Sequence, residues 1–389
     1  MSSFGAVLKR ELKRITARRL YFGTCVVLPL FCVFFMATIF GNGQMENIPI
    51  GVVDLDQTVT SRNILRTVEA VPTFNRQMNR YANEEQARVA TQKKDIYGYL
   101  VIPLDFEARV MDGKSVSLLY YYHYALLSVG SEVLGAFETV LQPIALSPVV
   151  LRATSLGLTP AQTESFLLPI DEQSHPLYNP DLDYAVYLTQ PFFFILLQVI
   201  ILLVTVYAVG SEIKFRTGDE WLSTARGNIF IAIVAKLLPY TLIFILMSIL
   251  ANYVFFGVMH IPFSCGFVSL NLTAAIFVIA TQSLGVFLFA LFPAISIIIS
   301  IVSMVGSLGA TLSGVTFPAP FMFPPVYYAS FLFPVRHFVD ISQNLLYGDY
   351  GFAYTYVNFV SLFVFVALAL LMLPRLKKAI LSHKYENIR

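Results

Sequence analysis

The chain has 389 residues, 57% of them hydrophobic and 13% charged, with a mean hydropathy of +0.69 and a formal net charge of +2. Those values exclude an ordinary soluble protein, and so small a net charge gives no argument for a nucleic-acid partner. Three cysteines, Cys25 and Cys32 in an apolar run and Cys265 in a short connection, make neither a disulfide framework nor a metal spacing.

The apolar runs reach the ~20 residues a helix needs to cross ~30 Å of hydrocarbon, and they lack the alternation of a membrane barrel. Residues 1–19 come first: Phe4, Leu8, Leu12 and Ile15 recur at helical spacing opposite Lys9, Arg10, Lys13 and Arg14, the pattern of a basic interfacial helix. Such a helix anchors the chain on anionic headgroups, with a partner subunit as a second contact. Span 1 covers residues 20–40 and reads as an uncleaved signal anchor with its N-terminus in the cytoplasm. Pro29, mid-span, predicts a kink.

Residues 41–184 have α/β patterning and mixed charge, and topology puts them outside the cytoplasm. Strands are predicted over Ile48–Asp54, Ile96–Ile102 and Val116–Tyr122, and helices over Val59–Glu69, Asn83–Gln92 and Asp105–Met111. From Tyr124 onward, Ala125, Val129, Val133, Phe137, Val140 and Ile144 predict a long amphipathic helix, which Pro143 and Pro148 should bend or end. Asp54 and Asp56 suit a turn and helix start better than a pair of ligand carboxylates. Gly113, Lys114 and Ser115 do not complete a phosphate loop, because Ala108 stands where a glycine is required.

Span 2, residues 185–209, leads to a charged island over residues 210–227. Thr217 followed by Glu220 matches a capping box, so a helix can start at Gly218 and stop at Gly227. Trp221, Leu222 and Ala225 share one face, leaving Asp219, Glu220 and Arg226 for water or a partner; a turn resting on the membrane would need the same pattern. Span 3 covers residues 228–256, with Lys236 near enough to its cytoplasmic end to snorkel. Spans 4 and 5 cover 267–292 and 294–315, the latter with Ser303, Gly306, Ser307, Gly309 and Gly314 to allow close helix approach.

Prolines 318, 320, 324, 325 and 334 punctuate residues 316–351 and predict short outer re-entrant helices there. The last of these opens at Pro334 and is capped by Gly348; it places Phe338, Ile341 and Leu345 on one face and spaces Arg336 and Asp340 as i,i+4 partners. Span 6, residues 356–373, leads to a cytoplasmic tail, 374–389. The expected fold class is a polytopic α-helical membrane protein, with six transmembrane helices and an α/β extracytoplasmic domain between spans 1 and 2. The five histidines show no metal-ligand spacing, and the predicted spans contain no acidic residue, which argues against an ion-coupled carrier.

The order of these features resembles the ABC-2 type permeases, the type-2 ATP-binding cassette exporter subunits with a large extracytoplasmic insert. The resemblance rests on the basic helix before span 1, on IPIGVVDLDQTVTSRNILR (Ile48–Arg66), on EIKFRTGDEWL (Glu212–Leu222) and on SGVTFPAPFMFPPVYYASFLFPVRHF (Ser313–Phe338). The last is similar to the family's Ser-Gly-x-x-Phe-Pro signature with a late proline. Two departures are Gly218 after Thr217, where the family more often has Gly before Thr, and YYYHY at 120–124, where relatives often carry an Asp-Gly-Ser-like turn.

The resemblance implies a multi-pass protein of the bacterial cytoplasmic (inner) membrane with both termini inside and no ATPase site of its own. Its implied partners are cytoplasmic ATP-binding cassette ATPase subunits that hold ATP and Mg, a second permease copy or close paralogue, membrane lipid, and a periplasmic adaptor where the cell has an outer membrane. Nucleic acid is not among them, and the chain itself is expected to bind no cofactor or metal. Glu212, Arg216, Thr217, Gly218, Asp219, Glu220 and Trp221 become coupling contacts, and Gly314, Pro318, Pro334, Arg336 and Asp340 an outer gate. A drug-like or lipid-like cargo would leave the cytoplasm or inner leaflet. A non-transporting receptor or scaffold acting through the insert is the alternative, followed by an ion-coupled secondary transporter.

Overall fold

The computed structural model describes residues 2–41, 43–155, 159, 177–180, 182–348 and 352–383. It divides into a helical unit, Met1–Gly43 with Asp183–Arg389, and an inserted unit, Gln44–Leu182.

The helical unit opens with α1 (Ser3–Ala17), whose first turn is capped by the Ser2 hydroxyl accepting the Gly5 N–H at 3.2 Å. Helix α2 (Arg19–Ile39) is the first candidate span. Pro29 supplies no N–H to the turn before it, and the irregularity it imposes falls at a π-turn over Gly23–Val27.

The inserted unit runs β1 (Gly51–Asp54), α3 (Val59–Glu69), β2 (Asn79–Arg80), α4 (Glu84–Lys93), β3 (Gly98–Ile102), α5 (Phe106–Met111), β4 (Leu119–Tyr122) and α6 (Leu127–Ser155). Its sheet has the order β2-β1-β3-β4, with β1 parallel to β2 and β3 and with β4 antiparallel to β3. β1 and β3 are central and covered on both faces, which is why both are nearly unbroken apolar runs. Val52, Leu100 and Ile102 pack with Ile64, Phe74 and Phe137 on one face, and Val53, Tyr99 and Val101 with Ala87 and Ile96 on the other. The two-residue β2, polar and exposed, carries no apolar alternation and was not foreseeable. Pro143 and Pro148 do not end α6, which continues to Ser155. Pro143 lies on an exposed face, where water can take the carbonyl it leaves free.

Asp54 and Asp56 act as turn staples. Asp54 accepts the Gln57 N–H at 2.9 Å and the Ser61 hydroxyl at 2.8 Å, while Asp56 accepts the N–H groups of Phe106 at 2.8 Å and Glu107 at 3.1 Å, at the start of α5. Asp56→Ala is expected to speed hydrogen exchange at the Phe106 and Glu107 amides about tenfold, the loss of one charge-assisted bond each, with β1 and β3 amides little changed. Exchange of the intact protein read by mass spectrometry checks this.

The helical unit resumes with α7 (Ala185–Lys214), α8 (Gly218–Thr224), α9 (Ile229–Val258), α10 (Phe267–Leu291), α11 (Ile295–Thr311), α12 (Pro324–Ser330), α13 (Pro334–Gln343) and α14 (Phe352–Leu381). Among the described residues, five helices, α2, α7, α9, α10 and α14, are long and apolar enough to cross a membrane. The expected span over 294–315 is instead the 17-residue α11, ~25 Å long at ~1.5 Å per residue and short of the ~30 Å core. It stops at Thr311 because Gly314 takes φ +89° and the proline-rich run follows. By contrast, α7 and α14 outrun their expected limits, so that Glu212 and Arg375 lie within helices.

Helix α7 is the hub of this unit, with residues such as Phe193, Phe194, Ile201 and Val206 fully buried. Small residues bring α11 against it: a Cβ on Gly306 would lie 2.8 Å from the Val199 side chain, and one on Gly309 2.7 Å from Gln198 Nε2. Gln198 Oε1 in turn accepts the Val335 N–H at 2.9 Å, satisfying an orphan donor in the first turn of α13.

Candidate functional site

The charged island and the N-terminal helix meet in one buried cluster. α1 lies along the start of α9, and Glu11, on its inner face, is only 1% exposed. Its carboxylate accepts the Lys236 ammonium at 2.6 Å and the Tyr240 hydroxyl at 2.7 Å. Lys236 and Tyr240 are four residues apart on α9, so one helical face presents both donors.

Glu212, fully buried near the end of α7, is the centre. It accepts Lys236 Nζ at 2.7 Å, a two-pronged Arg10 guanidinium at 2.8 and 3.0 Å, and Arg14 Nη1 at 2.5 Å. The Thr217 hydroxyl donates to it as well. Arg14 Nη2 donates to Ser211 Oγ at 2.8 Å, and Arg10 Nε reaches Glu220 at 3.4 Å on the rim. Arg10, Arg14 and Lys236 thus face the buried carboxylates of Glu11 and Glu212, with the exposed Glu220 at the rim. That pairing is what allows Glu11, Glu212 and Lys236 to be buried as ions, since a lone buried ion is strongly unfavourable. Lys236 also sits over the Trp221 ring, 5.2 Å from its centroid. Burial works against the charge on Arg10, but the hydrogen bond to Glu212 and the fields of Glu212, Glu220 and Glu11 outweigh it and raise its pKa. Arg14 is raised likewise, with Glu212 the main force opposing burial.

Several expectations for the island are corrected here. Thr217 precedes α8 without capping it, because its hydroxyl is taken by the stronger acceptor, the Glu212 carboxylate. Glu212 and Trp221 are both 0% exposed, so neither is a surface contact; they anchor the island to the spans. Lys236 does not snorkel, because two carboxylates hold its ammonium inside. The helix that holds span 2 runs on past residue 209, so that Glu212 of the island lies in the last turns of α7. Gly218 packs where a Cβ would fall 2.6 Å from the Ile380 side chain of α14. Arg216, Asp219 and Glu220 are exposed, and Asp219 lies 3.4 Å from His383. Gly227, at φ +75°, closes the island as expected, its N–H on the Leu222 carbonyl at 2.8 Å.

Sequence reasoning missed Glu11 and Tyr240, and it gave Arg10 and Arg14 to headgroups, with a partner subunit as a second contact. Glu11 did carry a signal, as the one acid in a strongly basic helix. Among the residues expected to form an outer gate, Arg336 pairs with Asp340, and a Cβ on Gly314 would lie 3.5 Å from Arg336 Nη1. Pro334 opens α13. Pro318 precedes a 3-10 turn at Ala319–Phe321 and is exposed, with no contact to Arg336 among those described. His337, which was missed, is fully buried between Asn358 Oδ1 at 2.9 Å and the Phe331 carbonyl at 3.0 Å.

A family model described as ABC-2 family transporter protein matches residues 19–373. The chain belongs to the ABC-2 transporter family. No curated protein and no solved structure matches it. As an ABC-2 permease it is a transmembrane subunit that associates with ATP-binding cassette ATPase partners. The match begins at Arg19 and so leaves out α1, although α1 supplies Arg10, Glu11 and Arg14 to the cluster.

Proposed function

We propose that this ABC-2 permease is the translocating half of an ATP-driven exporter in the bacterial inner membrane. It works as a six-span subunit, with α11 as the short span, beside a second copy or close paralogue. Separate ATPase subunits hold ATP and Mg, and a drug-like or lipid-like cargo moves outward. The reading is carried by the charge cluster at Glu212. It joins α1 to the ends of α7 and α9 through short, charge-assisted bonds, and it holds α8 through the Thr217 hydroxyl on Glu212 just before that helix, the Trp221 ring beside Lys236 and the Arg10–Glu220 contact at the rim. Motion imposed on α8 is therefore delivered to two long helices and not dissipated in a loop.

In this reading Arg216, Asp219 and Glu220 meet the ATPase, while Glu212, Thr217, Gly218 and Trp221 transmit. Gly314, Pro318, Pro334, Arg336 and Asp340 shape the outer gate. The inserted unit faces away from the cytoplasm and offers the surface for a periplasmic adaptor.

Coexpression with a candidate ATP-binding cassette ATPase subunit, followed by purification into lipid nanodiscs, tests the docking surface. Reversing both exposed acids, Asp219→Lys with Glu220→Lys, is expected to lower ATPase copurification about tenfold while the unfolding temperature of the permease falls only slightly, because the Arg10–Glu220 and His383–Asp219 contacts they lose are exposed rim pairs. Unchanged copurification and ATP hydrolysis would remove α8 as the docking surface.

A further inference from the structure

We propose that α9, α10 and α14 form an intramembrane binding groove for an uncharged, apolar organic molecule that carries a hydrogen-bond acceptor, such as a ketone oxygen, inside its hydrocarbon body. The groove holds about 440 Å³, within the ~300–1,000 Å³ typical of small-molecule sites. Each helix gives one face to it at helical spacing, with Val234, Leu237 and Thr241 from α9, Gln282 and Val286 from α10, and Leu370 from α14. None of the residues lining it is charged, so it offers nothing to an ion.

Gln282 distinguishes this groove from a crease filled by lipid tails. The residue is 4% exposed, yet it reaches the groove. Its Oε1 accepts the Thr241 hydroxyl at 2.6 Å, and its Nε2 has no hydrogen-bond partner among the described residues. An amide donor left unpaired in hydrocarbon is strongly unfavourable, and water is not there to take it. Gln282 stands nine residues before the end of α10 at Leu291 and fifteen after its start at Phe267. At ~1.5 Å per residue those are ~14 and ~22 Å, close to the middle of a ~30 Å core. A phospholipid keeps its ester oxygens at the interface, and its tails carry no acceptor to that depth. The molecule that satisfies Gln282 therefore brings an acceptor within its apolar body. This assignment does not rest on the exporter reading, because binding is measured without ATP.

The test uses the full chain in phosphatidylcholine nanodiscs and benzophenone as the probe, since its carbonyl is both the acceptor and the photoreactive group. Label is expected on peptides of α9, α10 and α14, and fluorenone should compete about tenfold better than fluorene, the difference one hydrogen bond makes. Gln282→Leu should erase that preference. Val234→Trp, at the groove's half-open edge, keeps the amide and should abolish saturable labelling, which preserves the test if Gln282→Leu fails to assemble. Equal competition by fluorenone and fluorene, or label spread evenly over the lipid-facing helices, would overturn the assignment.

Discussion

Lys236→Met is expected to destabilise the helical unit by about 3–5 kcal/mol, the range for removing one partner of a buried ion pair. The Lys236 ammonium is shared between Glu11 at 2.6 Å and Glu212 at 2.7 Å and is wholly buried. Without it Glu212 still has two arginines, but Glu11 keeps only the Tyr240 hydroxyl and a distant Arg14 Nη1 at 4.0 Å. Glu11 is therefore the charge that is stranded, and Lys236→Met combined with Glu11→Gln should recover more than half of the loss. Such non-additivity is the mark of residues in one network. Lys236→Arg should not rescue, because the fully buried position that a compact ammonium fills between Glu11 and Glu212 has no room for the larger planar guanidinium. Trp221 is the chain's single tryptophan, so its fluorescence during thermal unfolding in nanodiscs reports from the cluster itself. Equal unfolding temperatures for the unaltered protein and Lys236→Met would refute the idea that the cluster is a structural join.

Within the inserted unit, the elements that could be read have local signals. Short apolar runs mark β1 and β3, and α3 occupies the residues predicted for it. The candidate spans were legible for the same reason, since length and apolarity are properties of one segment. What could not be read was every feature fixed by a distant partner. Thr217 and Glu220 satisfy the spacing of a capping box, but the carboxylate that takes the Thr217 hydroxyl, Glu212, is brought there by the turn after α7. Lys236 was expected at the interface because a lone cation in a span has no nearby counter-ion in sequence; its two partners lie on α1 and α7. The end of α11 depends on Gly314 at positive φ, a conformation that sequence permits without requiring.

The same distinction separates the two groups of residues expected to couple to an ATPase. Asp219 and Glu220 could be recognised as exposed from their helix face alone, whereas the buried role of Glu212 needed α1. The family match starts beyond α1, so neither its pattern nor the local spacing connected Arg10, Glu11 and Arg14 to the island. A basic helix before a span already has a sufficient explanation in positive-inside topology, and that explanation concealed the inward-facing acid.

Arg14→Met separates anchoring from transmission. Arg10 and Arg14 stand one turn apart on α1 and both grip Glu212, which fixes the rotation of α1 about its own axis as well as its position. Losing Arg14 leaves the two-pronged Arg10 contact in place, so the protein should fold, with a stability loss of about 1–3 kcal/mol from the bonds to Glu212 and Ser211. It should, however, free α1 to roll against α7. Spin labels at the exposed positions Lys13 and Ser223 are expected to show a broadened distance distribution in the variant. If α1 transmits motion, ATP hydrolysis by the assembled complex should continue while cargo transport falls about tenfold or more, a loss of ~1.4 kcal/mol or more in coupling. A narrow, unchanged distance together with normal transport would make α1 a passive anchor, and the path from α8 into the membrane would then run through Thr217 and Glu212 alone.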